Sequence, residues 1–170
     1  SGVPWLGEVP AHWSTGALTR IAERVVVGIA EAATHAYRDQ GVAILRSTNI
    51  RAGRIRGEIL YIAPEFAAER GSKLIGQGDL ITVRTGNPGV TAVVPRELDQ
   101  CQCFTMLITT LRAENSSSYY CYWMNSESAM RYFQLEGWGS AQLNISVPIL
   151  KALPGAMPPP VEQEDIVRFL

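Results

Sequence analysis

The sequence predicts an α+β fold, a curved and mostly antiparallel sheet with a few packed helices. Three observations predict it. Short apolar runs joined by short loops recur at Val42–Leu45, Leu80–Arg84, Val90–Val94 and Phe104–Leu111. One longer stretch, Tyr119–Leu135, has its apolar residues at helical spacing instead. The 170 residues, 46% hydrophobic and 18% charged, carry enough apolar surface for one ordinary core.

The elements follow in order. Val3–Trp13 contains Pro4 and Pro10, so it reads as an extended arm, with Trp5 and Trp13 expected to anchor it to the core. Leu18–Val27 reads as a helical turn feeding a strand. Val42–Leu45 is a strand ending at Arg46, Gly53 marks a turn, and Glu58–Ile62 is the return strand. Pro64–Glu69 is a short helix, with proline in its tolerated first turn and Glu65 near its positive end. Gly76–Asp79 is a turn in which Asp79 is expected to be a turn residue and not a ligand. Thr85–Gly89 is a tight loop between Leu80–Arg84 and Val90–Val94. In Tyr119–Leu135, Tyr120, Trp123, Met124, Met130 and Phe133 form a stripe expected in the core, with serines 116 to 118 as the cap. Pro148–Leu150 is a turn or short helix, Leu153–Met157 a strand, and Val161–Leu170 a helix opening with acids.

Several function classes are disfavoured. No apolar run approaches the roughly 18–20 residues of a membrane helix. Ser1-Gly2-Val3-Pro4 has neither the basic region nor the apolar stretch of a signal peptide, and no initiator Met, so a fragment is expected. Cys101, Cys103 and Cys121 make no disulfide framework. Cys101 and Cys103 lack a second pair or a His at metal-ligand spacing, and are expected as small residues on one strand face in a reducing cytoplasm. His12 and His35 stand apart, as surface or packing residues. Thr85–Gly89 lacks the lysine and spacing of a phosphate-binding loop. A small enzyme using Cys103 or His35 is the weakest of three functional readings.

Net charge is −1, from 15 basic and 16 acidic residues, which does not by itself suggest nucleic acid. The distribution says more. Arg46, Arg51, Arg54 and Arg56 lie together with no acid among them, while Glu162, Glu164 and Asp165 gather elsewhere.

Five segments, in order, carry a family resemblance. They are Pro4–Trp13 (PWLGEVPAHW), Leu45–Ile50 (LRSTNI), Gly78–Gly86 (GDLITVRTG), Gly139–Ser146 (GSAQLNIS) and Pro159–Ile166 (PPVEQEDI). Together they resemble a target-recognition domain of the DNA-specificity subunit of type I restriction-modification systems. The resemblance implies the fold of a DNA methylase specificity domain. It also implies a domain over residues 1–157 and the start of a conserved spacer helix over 158–170. It implies a non-catalytic reader of one half of a split double-stranded DNA target. A modification subunit would bring S-adenosylmethionine and methylate adenine, and a restriction subunit would join for ATP-driven cleavage. No cofactor is expected in this chain, with S-adenosylmethionine, ATP and Mg only in the partners. The glycine-rich loop and the Asn-Pro-Pro-aromatic tetrapeptide of adenine methyltransferases are absent.

A DNA reader needs phosphate contacts for register and base-edge contacts for sequence. The planar forks of Arg46, Arg51, Arg54, Arg56 and Arg84 suit guanine edges or phosphates. Asn49, Asn87, Gln142 and Asn144 are types that pair with adenine edges, while Ser47, Thr48, Thr85 and Ser140 suit phosphate oxygens. Asn49 and Asn144 equally suit a second role, satisfying backbone in turns. Trp138, between Gly137 and Gly139, is expected to pack, with a DNA-facing wedge as the alternative. A protein-interaction module that mainly docks the modification subunit, with secondary DNA contact, is the competing reading. The arm with Trp5 and Trp13 and the segment Pro158–Leu170 would then matter most.

Overall fold

Twelve short strands and five helices make up the computed structural model, which describes residues 7–31, 33–139 and 143–170. In chain order they are β1 (Ser14–Ala17), β2 (Ala22–Val27), β3 (Tyr37–Arg38), β4 (Val42–Leu45), β5 (Ile50–Arg51), β6 (Arg54–Ile55), β7 (Leu60–Ile62), α1 (Pro64–Ala68), β8 (Leu80–Thr82), β9 (Thr91–Val93), β10 (Gln102–Cys103), β11 (Leu107–Leu111), α2 (Ser117–Met124), α3 (Glu127–Glu136), α4 (Val147–Ala152), β12 (Pro154–Met157) and α5 (Pro160–Phe169). The α+β class and the mostly antiparallel pairing are as expected. The strands divide among four sheets. One runs β2-β11-β8-β9, another β10-β4-β7-β3, and two-stranded pairs join β1 to β12 and β5 to β6. Only β10 and β4 pair in parallel among the named strands.

The β2-β11-β8-β9 sheet is buried on both faces. Leu80, Leu107 and Val25 face the helices and pack with Tyr120, Met124, Phe133 and Leu150. Ile81, Ile108 and Ala92 face the other way, onto Leu45, Ile50, Ile75, Cys101 and Cys103. Adjacent residues therefore both need to be apolar, which is why Leu80-Ile81 and Leu107-Ile108 read as unbroken runs and not as alternation. A third cluster, around Ile44, Ile62 and Phe66, seats α1.

The expected helix Tyr119–Leu135 is two helices. The break falls at Asn125 and Ser126. Asn125 Oδ1 accepts from Thr91 N at 3.0 Å, and Asn125 Nδ2 donates to Thr91 O at 2.8 Å and Cys121 O at 2.7 Å. Ser126 Oγ then accepts from Ala129 N at 3.3 Å and starts α3. Both residues hydrogen-bond backbone better at a helix end than inside one, so the apolar stripe continues while the helix does not. Ser116 caps α2 from its side-chain oxygen, as expected of the serine run.

The arm is anchored differently from expectation. Trp5 lies outside the described residues. Trp13 is half-buried, and its Nε1 donates to Glu162 Oε2 at 2.8 Å, so the arm is tied to the first turn of α5 and not to the core. His12 Nε2 lies 2.7 Å from Glu162 Oε1. These contacts, Trp13 first, hold the Glu162 carboxyl below its ordinary range. Gln163, buried beside it, accepts from Ser116 N at 2.8 Å and donates to Pro158 O at 2.9 Å, which locks α5 against α2. Asp79 has a larger part than a turn: it accepts from Gly76 N at 2.9 Å and pairs with Arg24 at 3.2 Å.

Asn125 closes an otherwise open sheet edge. Asn125→Ala leaves Thr91 N–H and part of its carbonyl unpaired in a buried place. It is expected to cost about 1–3 kcal/mol of unfolding free energy, read as a lower urea midpoint with an unchanged m value.

Candidate nucleic-acid interface

The arginine-rich segment folds into a small hairpin. Arg46 leaves β4, a single helical turn spans Ser47–Asn49, and β5 and β6 pair with Ile50 opposite Ile55 and Arg51 opposite Arg54. Gly53 supplies the tight turn at φ 74°. Asn49 sits at the centre, 2% exposed. Its Oδ1 accepts from Arg46 N at 2.9 Å, and its Nδ2 donates to Arg56 O at 3.0 Å and Glu58 O at 2.9 Å. Its amide is therefore committed to backbone: Asn49 is the staple of the loop and not the base-edge reader expected from its type.

The arginines divide by what already holds them. Arg46 Nη2 donates to Glu58 O at 3.2 Å, and Arg51 Nη1 donates to Thr48 O and Ile50 O at 3.0 and 2.9 Å. Arg54 and Arg56 are exposed, and among the described residues neither forms a side-chain hydrogen bond or ion pair. Ser47 and Thr48 are exposed on the preceding turn. The hairpin is fixed to the scaffold by Gly53 N, which donates to Thr91 O at 2.9 Å.

The remaining candidates gather in a second group. Thr85 is half-buried and Asn87 exposed, on the loop joining β8 to β9. Arg84 Nε donates to Ile145 O at 3.1 Å, Ile145 N donates back to Arg84 O at 3.1 Å, and Arg84 Nη2 reaches Asn144 Oδ1 at 3.4 Å. Arg84 and Asn144 thus meet, and part of each is occupied in joining two loops. Ser140 and Gln142 lie outside the described residues. Trp138 was expected to pack and does not: it is 58% exposed. Its main chain bridges Asn144, with Asn144 N donating to Trp138 O at 2.9 Å and Trp138 N donating to Asn144 O at 3.2 Å. Gly137 takes the packed position against Phe133 and Leu143, so the next side chain is turned outward.

Both groups are mounted on the start of β9, one through Gly53 and Thr91, the other through the loop that enters the strand. Tyr122, 49% exposed, joins the first group: with Arg54, Ser118 and Asn125 it lines a cleft of about 380 Å³ between the hairpin and α2. Tyr122 carried a sequence signal in lying off the apolar stripe of Tyr120, Trp123 and Met124.

The side chains considered for catalysis are placed otherwise. His35 packs edge-on to Phe66 at 5.5 Å. Burial pushes the thiols of Cys101 and Cys121 up to about 12 and about 11, and Cys103 higher still. Among the described residues no group of three or more His, Cys, Asp or Glu side chains is placed to hold a metal ion. None of their helices is long and apolar enough to cross a membrane. All three thiols are expected to resist iodoacetamide in the native protein at pH 8 and to react on unfolding, as mass spectrometry would count. Because these folded-state values are raised, their contribution to stability is present below the ordinary thiol range and declines as pH rises above it.

No family model matches the sequence, and no curated protein sequence does. Solved structures do. A chain from a structure addressing complex assembly and conformational transition of the type I R-M system superposes with a TM-score of 0.71 at 17% identity, over 95% of this chain and 38% of that one. The HsdS subunit from Thermoanaerobacter tengcongensis gives 0.69 at 17% identity, over 95% and 42%. The type I restriction-modification S subunit from M. genitalium gives 0.60 at 13% identity, over 95% and 39%. This chain spans about two-fifths of the length of each, and over that span it has the fold of a type I restriction-modification specificity subunit.

Proposed function

We propose that the chain is a target-recognition domain that reads one half-site of double-stranded DNA within a type I specificity subunit. The observation that carries this is the display of Arg54 and Arg56 on a rigid hairpin, exposed and without protein partners. Free guanidinium forks on a scaffold-fixed turn match phosphate oxygens and guanine edges. Arg46, Arg51, Ser47 and Thr48 would contribute phosphate contacts from the same loop. Arg84, Asn144, Thr85 and Asn87 would read from the second group, and Ser140 and Gln142 would add a phosphate and a base-edge contact. The fold likeness supports placing this display in a specificity subunit.

In this reading residues 1–157 form the recognition domain and 158–170 begin the spacer helix. The chain works in the cytoplasm and catalyses nothing itself. A modification subunit with S-adenosylmethionine methylates adenine at the bound site, and a restriction subunit with ATP and Mg cleaves. A second reading, docking of the modification subunit, is favoured by one observation. Val161 and Phe169 on α5, and Leu170 just after it, are exposed, Phe169 at 92%, which suits burial against protein.

Titration of labelled duplexes against this chain tests the first reading. Binding is expected to be weak, since only one half-site is engaged, and to fall steeply with salt. The double variant Arg54→Ala, Arg56→Ala should flatten the log–log salt slope by about 1 per lost phosphate contact. Salt-insensitive binding, or sequence preference unchanged by that variant, would favour the docking reading. Asn49→Ala should give a different signature: weaker DNA binding together with a lower urea midpoint, because it loosens the loop that carries the arginines.

A further inference from the structure

Trp138 is costly where it stands. A tryptophan can bury 150–250 Å² of mostly apolar surface, yet this one is 58% exposed. The other described tryptophans are placed differently: Trp123 is buried in the core, and Trp13 is half-buried and bonded to Glu162. Its backbone is nonetheless firmly held. Trp138 and Asn144 exchange two main-chain hydrogen bonds, Asn144 lies against Arg84, and Arg84 binds Ile145 O. The exposed ring thus stands on a stem whose main chain is bridged to Asn144, the residue that Arg84 meets in turn. Gly139 follows at φ 115°, a conformation that favours glycine, so no side chain crowds the ring from that side of the sequence.

From this placement we infer that Trp138 is a wedge that inserts at a base step of the bound duplex. This rests on the DNA reading above and goes further, giving one residue a mechanical task. The indole face stacks on an unstacked base, while the Arg84 guanidinium, one bridge away, meets the flanking phosphate. A stiff stem matters because unstacking must be driven by the protein; a mobile loop would yield first. Steps that unstack easily, pyrimidine followed by purine, would be preferred, so Trp138 adds sequence preference without a hydrogen bond.

The test uses the full chain and short duplexes enriched from a random library, with 2-aminopurine substituted for adenine at one position at a time. With the native protein, 2-aminopurine fluorescence is expected to rise at one step and stay flat elsewhere. Trp138→Ala should abolish the rise and weaken binding about tenfold, while Trp138→Phe should keep most of both. Thermal unfolding of Trp138→Ala should stay close to that of the native chain, since more than half of the residue's surface is exposed. Arg54→Ala should weaken binding and keep the fluorescence rise. Duplex binding with no rise at any position, or a rise that survives Trp138→Ala, overturns the wedge and leaves the DNA reading standing. Failure of the native chain to retain any duplex overturns both.

Discussion

The carbonyl oxygen of Thr91 is the point on which the displayed surface depends. It accepts from Gly53 N at 2.9 Å and Asn125 Nδ2 at 2.8 Å, with the Cys121 thiol at 3.5 Å. Thr91 begins β9, the outer strand of its sheet, whose far edge would otherwise present unpaired backbone groups. Here a hairpin turn and a helix joint occupy that edge. One acceptor atom therefore joins the arginine loop, the sheet edge and the joint between α2 and α3. The Thr91 hydroxyl adds to the node by donating to Gly89 O, within the loop that carries Asn87.

Behind that node the scaffold is stiff. The central sheet is covered on both faces, by helices on one side and by the layer around Ile50, Ile75 and Cys103 on the other. Close packing on both sides leaves the strands little freedom to shift. Loops grown from such strands keep their positions. The division of labour is visible within single loops: Asn49 spends its amide on backbone while its arginine neighbours face outward. Around Arg84 the division is less complete, since the same guanidinium that points to the surface also fastens Ile145.

Much of the fold was legible because its elements obey local rules. Val42–Leu45, Leu80–Thr82, Thr91–Val93 and Leu107–Leu111 fall within the expected strands, and α1 within its expected helix. What escaped notice depended on partners distant in sequence. The break at Asn125 exists because Thr91, thirty-four residues earlier, needs a partner. β1, with the sequence STGA, has no apolar alternation, and β3 has only two residues, so both are held by pairing. The candidate site was legible as residue types on loops, and Arg54 and Arg56 are displayed as their charge and turn position suggested. Burial separated Asn49 from them, and no local pattern reports burial of a single amide. Trp138 went the other way: aromatic character suggests a core residue unless the neighbouring Gly137 is known to fill the packed position.

The hairpin of residues 46–58 is tied down mainly by main-chain atoms, by one asparagine and by the buried side chain of Ile50. Gly53 binds through its amide, Arg56 and Glu58 receive Asn49 through their carbonyls, and Arg46 is held through its amide nitrogen. Main-chain fastenings are indifferent to side-chain identity. The loop is therefore a socket: so long as Asn49, Ile50 and Gly53 are kept, its outward side chains can change without repacking the core beneath it.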